Sequence, residues 1–191
     1  MRYEKGHKQT TRARIINVAS AQFREHGVAS AGLAGIMSAA GLTIGAFYAH
    51  FGSKEDLVQA VLRDALGRRE QGLRANLESG VGIEAAIRDY LSARHRDGAA
   101  SGCPIAALVA EIARHPEKTR DAFTRKISGF IPLMAARIQG RSAAERRQSA
   151  IAIYNLMVGA LQMARAVNDR KLSDEILGSA VDAALKLASA R

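Results

Sequence analysis

The chain has 191 residues, 48% hydrophobic and 24% charged, with a formal net charge of +10 and one cysteine. That fits an ordinary globular chain of one or two domains and excludes an internal disulfide framework. No apolar run approaches the roughly 20 residues of a membrane span, and the polar, basic start MRYEKGHKQTTRAR is not expected to be a secretory signal.

A lone cysteine suits a reducing cytoplasm, which is the expected location. Only three prolines occur while Ala, Leu, Arg and Glu abound, so the composition favours helix throughout. Residues 1–54 carry seven Lys/Arg against two acids, which makes net positive charge more than twice as dense there as in the remainder. Excess charge alone supports attraction to any polyanion.

In chain order, Thr10 and Thr11 open a predicted helix with Ile15, Ile16, Ala19 and Phe23 on one face, closed at Gly27 with His26 in its last turn. A short segment follows with Leu33, Ile36, Met37 and Ala40 at helical spacing, stopped by Gly41. The next short helix is predicted over Thr43 to Phe51, with Phe47 and Phe51 four apart. Ser53 then caps a long helix from Lys54 to about Leu77, with Glu55 and Asp56 near its positive end. One helix is predicted from Ile83 to Arg96 and another from Pro104 to about Arg114. Pro116 starts a further one, with a kink or split near Gly129 and Pro132. Ser142 with Glu145 three residues on resembles a capping box for a helix to about Asn168, and the last runs from Leu172 to Ser189. The fold class is all-α, with about nine helices and no strand pattern.

Residues 41–57 read GLTIGAFYAHFGSKEDL. Two short helices joined at a glycine, after one supporting helix, make the helix-turn-helix layout. Gly41 takes the left-handed turn position, Leu42 plugs the angle, and Phe47 and Phe51 anchor the second short helix. Thr43, Ile44, Gly45, Ala46, Ala49 and His50 are then expected to face outward. Gly45 disfavours helix by about 1 kcal/mol relative to alanine, and close approach to a DNA groove is the reason to keep it. Ala46 suits a thymine methyl, and Tyr48 can reach a phosphate oxygen. Lys54 pairs its charge with helix N-terminal amides, a good arrangement for a phosphate.

This stretch resembles the DNA-binding signature of the TetR family of bacterial repressors, and the similarity reaches back over roughly residues 9–60. The resemblance implies an N-terminal three-helix DNA-binding domain over 1–53 and a larger helical effector-binding and dimerisation domain over 54–191. The chain departs from the family pattern at Ala31-Gly32, where a capping Thr-Ser/Thr is usual. Ala34 and Gly35 stand where Arg and Asp are frequent, and Ile44 where a basic or polar residue is common. Charged contacts are therefore not expected at 34, 35 or 44, and the basic arm Arg2, Lys5, Lys8 is a candidate compensation along a phosphate strand or the minor groove.

A dimer is expected because one recognition helix spans only a few base pairs and half-sites recur about 34 Å apart. The last two helices carry apolar stripes suited to pairing with a second copy. An unidentified small-molecule effector is expected between residues 83 and 168, with Tyr90, Phe123, Phe130, Met134, Tyr154, Met157 and Met163 as candidate lining. Cys103 precedes Pro104 at a helix start, where the helix dipole activates a thiol, so a thiol-based electrophile or oxidant sensor is one alternative. A basic helical adaptor that does not read DNA sequence is another. The five histidines show no metal-ligand spacing, and no nucleophile elbow or phosphate-binding loop occurs, so no enzyme activity, metal or cofactor is expected.

Overall fold

The computed structural model describes residues 5–139 and 142–189, so Arg2 of the candidate arm lies outside the described residues. Among the described residues there are ten α-helices, one 3₁₀ turn at Ala99–Ser101 and no strand. The count exceeds the expected nine by one, and the extra helix has a local cause described below.

Helix α1 (Lys5–His26) starts earlier than predicted, so Lys5 and Lys8 belong to its first turns instead of to a separate arm. It ends where Gly27 adopts φ 82° and donates its amide to the Phe23 carbonyl at 3.0 Å. Helix α2 (Leu33–Ala39) begins at Gly32, whose lack of a side chain leaves the N-terminus without a side-chain cap. It closes in a Schellman motif: Gly41, at φ 65°, donates to the Ser38 carbonyl, and Leu42 donates to that of Met37. Helix α3 (Ile44–Phe47) is a single turn, shorter than the predicted Thr43–Phe51, because Tyr48, Ala49 and His50 leave regular α geometry in a tight turn. Helix α4 (Lys54–Glu78) is capped as predicted, with the Ser53 hydroxyl accepting the Asp56 amide at 3.1 Å.

The predicted Ile83–Arg96 helix is two: α5 (Ile83–Tyr90) and α6 (Ala93–Asp97). Leu91 leaves helical geometry, and Ser92 turns extended and caps the new helix by accepting the His95 amide at 3.2 Å. The His95 ring secures the break. Its Nδ1 lies 2.7 Å from the Tyr90 carbonyl, and Nε2 accepts the Cys103 amide at 2.9 Å. Those partners require the neutral ring with its proton on Nδ1. No Gly or Pro marks this break, so spacing alone missed it.

Helix α7 (Pro104–Ile112) has proline at its first position and Cys103 as N-cap. Helix α8 (Glu117–Ala135) runs unbroken through Pro132, correcting the expected kink or split. Pro132 sits on the exposed side, so water can satisfy the freed Ser128 carbonyl, while packing on both flanks holds the turn. Helix α9 (Ala143–Ala166) carries the complete capping box of Ser142 and Glu145 and packs along α10 (Arg170–Ser189).

Two hydrophobic clusters result. One joins Ile15, Phe23, Ile36, Phe47 and Phe51 to Leu57, Val58, Val61 and Leu62 of α4, and to Leu108 and Ile112 of α7. The other is built on α5 and α7–α10, with Leu66 of α4. Helix α4 therefore serves both, and Phe123 of α8 packs half-buried against each.

Candidate nucleic-acid interface and effector cavity

The Schellman turn sets the angle at which α3 leaves α2, and two stacked rings fix its inner side. Phe47 and Phe51 are buried with centroids 5.5 Å apart. What remains outside is Thr43, Ile44, Gly45, Tyr48 and Ala49, all exposed. Ile44 is 46% and Tyr48 66% exposed, unusual for an isoleucine and a tyrosine with a core within reach. A Cβ built on Gly45 would meet nothing closer than the Thr43 hydroxyl at 4.0 Å. The interior therefore does not require glycine there. Ala46 and His50 are half-buried, and Ala46 leans on the cluster beneath α3, so both face outward less fully than predicted. Lys54 is half-buried at the start of α4.

The structure adds cations that spacing along α3 could not supply. His50 is held below the ordinary imidazole value of 6.5, first by burial and then by Lys8, Arg12 and His7 of α1. Its buried Nδ1 finds no hydrogen-bond partner among the described residues. The Arg12 guanidinium lies 4.8 Å from the centre of the Phe51 ring. The first turns of α1 thus bring positive charge to the edge of the α3 face. A contact across the fold could have been foreseen only with the α1–α3 packing in hand.

Two carboxylates tie this unit to the rest. Glu111 of α7 accepts the amides of Val28 at 3.2 Å and Ala29 at 3.0 Å in the α1–α2 connection. Glu55 of α4 lies 3.0 Å from His115 Nδ1 and accepts the Thr119 hydroxyl. His115, just past the end of α7, is this carboxylate's partner.

A cavity of about 250 Å³ opens between α4, α5, α8 and α9. Five candidate residues line it: Tyr90, Phe130, Met134, Tyr154 and Met157. The Phe130 and Tyr154 rings meet at 4.9 Å. Three are not part of its wall. Phe123 sits at the junction of the two clusters, Met163 is 57% exposed on α9, and Cys103 is completely buried behind the cavity. Burial, and then the neighbouring Cys103, push the Tyr90 and Tyr154 hydroxyls above the ordinary phenol value, so both stay neutral. Sequence spacing missed the arginines: Arg68, Arg69 and Arg137 also line the wall. A basic residue on a mostly polar stretch reads as solvated surface until the packing is known.

A third surface lies between α9 and α10. Gly159, Ala160, Ser179, Ala180 and Ala183 form the floor of a shallow groove flanked by Leu156, Leu172 and Ile176. Of the large hydrophobic residues exposed among those described, all lie either on the α3 segment or on α9 and α10.

These elements define an all-helical DNA-binding regulator with an N-terminal helix-turn-helix. The chain belongs to the TetR family: the family description "Bacterial regulatory proteins, tetR family" matches residues 15–61, and "Tetracyclin repressor-like, C-terminal domain" matches residues 82–179. The HTH-type transcriptional regulator TtgR of Pseudomonas putida is 48% identical over 62 residues, covering 32% of this chain and 30% of that protein. The HTH-type transcriptional repressor NemR of Escherichia coli is 28% identical over 162 residues, covering 78% of this chain and 81% of NemR. The crystal structure of reduced E. coli NemR aligns with a TM-score of 0.74 at 25% identity, covering 92% of this chain and 95% of that one. A TetR-family regulator from Cytophaga hutchinsonii aligns at 0.77 and 21% identity, over 97% and 98% of the two chains. Among the described residues no helix is long and apolar enough to cross a membrane, and no cluster of three or more His, Cys, Asp or Glu could hold a metal ion.

Proposed function

We propose that this chain is a cytoplasmic, ligand-responsive repressor that binds an inverted-repeat operator as a homodimer and is released by a small molecule. Residues 1–53 read DNA and residues 54–191 bind the effector and the second copy. The observation that carries this reading is the outer side of α3, where an exposed Ile44, an exposed Tyr48 and a glycine that the interior does not need stand together. Thr43, Ile44, Gly45 and Ala46 approach base edges in the major groove. Tyr48, Lys54 and, at the rim, His50 with Lys8 and Arg12 meet the phosphates.

The α9–α10 groove supplies the dimer contact. Its small-residue floor lets two helix pairs approach closely, and exposed Leu172 and Met163 gain burial when a copy covers them. Helix α4 is the lever between cavity and DNA. Its 25 residues span about 37 Å at 1.5 Å each, with Leu57–Leu62 in the helix-turn-helix cluster and Arg68–Asn76 in the cavity wall. Occupation of the cavity shifts α4, and with it the spacing of the two α3 segments. Moving the population from 99:1 to 1:99 takes about 5.5 kcal/mol of differential binding. The reading involves no catalysis, metal or cofactor.

Tyr48→Phe and Lys54→Ala test the interface by fluorescence anisotropy on labelled duplexes. Each should weaken binding about five- to tenfold on every sequence while leaving base preference intact. Unchanged affinity, or an altered sequence preference, contradicts the phosphate roles.

A further inference from the structure

We infer that the cavity between α4, α5, α8 and α9 takes a small apolar carboxylic acid, with its carboxylate held by Arg137. This rests on reading the cavity as the effector site. Arg137 follows the last turn of α8 and is only 9% exposed, yet among the described residues its guanidinium makes a single hydrogen bond, from Nη2 to the Leu73 carbonyl at 3.1 Å. Its Nε and Nη1 are buried and find no partner among the described residues. Tyr90 and Tyr154, with side chains more than nine-tenths buried, also line the cavity, and the Cys103 thiol is the neighbour of both hydroxyls. Unmet hydrogen-bonding capacity such as that of Arg137 is uncommon in a folded interior, where buried polar groups are paired.

The charge balance gives the sign of the ligand. The wall carries three arginines and one acid. Arg68 is taken by Asp64 and by Asn17, while the acid, Asp89, is exposed and paired with Arg94. That leaves Arg69, whose guanidinium lies 5.0 Å from the Tyr90 ring centre and whose Nε is unpartnered, and Arg137. A cationic ligand would add repulsion to two under-paired cations. A neutral one would leave the Arg137 charge buried and unmet. A carboxylate can accept from the N–H groups of the planar guanidinium fork that Leu73 leaves unpaired, a charge-assisted pairing that suits an arginine.

Size and polarity give the rest. Leu73, Ile87, Phe130 and Met134 make much of the wall apolar. At roughly 20–30 Å³ per non-hydrogen atom, 250 Å³ admits a molecule of about ten such atoms.

The test is isothermal titration calorimetry on the full chain with 3-phenylpropionate, octanoate and indole-3-acetate, each against its own carboxamide. At least one acid should bind tenfold or more tightly than its amide. Arg137→Gln should abolish that preference while leaving the amide's affinity unchanged. Should that variant not fold, Arg137→Lys keeps the charge but loses the fork, and should cut the acid's affinity about tenfold. The inference is overturned if every amide equals or outdoes its acid, if no compound of the set binds, or if the preference survives at position 137 without arginine. Operator binding measured on the same samples separates the two readings. Intact DNA binding without acid preference sinks only the ligand chemistry, and acid preference without sequence-specific DNA binding sinks only the repressor.

Discussion

Two buried arginines in this fold have opposite surroundings. Arg96, at 5% exposure, bonds Asp97 and Asp174 and the Ser173 hydroxyl, and those partners raise its pKa. Arg165 and Arg170 complete the staple, donating to the His95 and Arg96 carbonyls and to Asp97, so that α6 is pinned to α9 and α10. Arg137 is nearly as buried, has one backbone partner among the described residues, and is pulled below the ordinary guanidinium value by desolvation. A buried cation with all its partners holds structure together. One left short of partners beside a cavity is arranged for something that arrives later.

The contrast is most strongly challenged by Arg96→Ala, which removes several charge-assisted hydrogen bonds between α6 and α10. Tm should fall by roughly 5 °C or more, read by circular dichroism. A smaller effect is expected from acid. Burial, with Arg69 and Arg165 nearby, holds His95 below the ordinary 6.5, so the unfolded chain binds more protons than the folded one as pH falls below that value. His50 is depressed in the same direction. Stability is therefore greatest above pH 6.5 and should decline as pH falls below that value in a series of melts. A second loss should follow below about 3.8, where Asp97 takes up a proton in the unfolded chain while Arg170 and Arg96 still hold it charged in the folded one. The smallest effect belongs to Arg137→Gln. With no ion pair among the described residues to lose and less charge to desolvate, Tm should stay within about 2 °C of the parent or rise. A fall as large as that of Arg96→Ala would erase the distinction.

How much of this was legible in the chain itself differs by region. The helix-turn-helix was open to reading because its determinants are local: the Gly41 turn, the Phe47–Phe51 spacing and the Ser53 cap each act within a few residues. The Ser142–Glu145 box was readable for the same reason. The α5–α6 break was not, since it depends on His95 reaching both Tyr90 and Cys103. Aromatic and methionine candidates gather around the cavity, but Phe123, of the same chemistry, packs at the junction of the two clusters, and Cys103 lies buried behind the wall. Complete burial also leaves Cys103 with no exposed surface for an electrophile, whatever its place at a helix start. The cavity's polar character was invisible, because Arg69 and Arg137 become wall residues only when α4, α8 and α9 meet.

The account depends most on α3 and its copy reading two successive turns of DNA. Duplexes selected by the protein from a random pool should share an inverted repeat. In anisotropy titrations at about 0.15 M salt, that repeat should bind at least 10³-fold more tightly than its scrambled version, saturating at two chains per repeat. Equal affinity for both, or saturation by single chains, would contradict it.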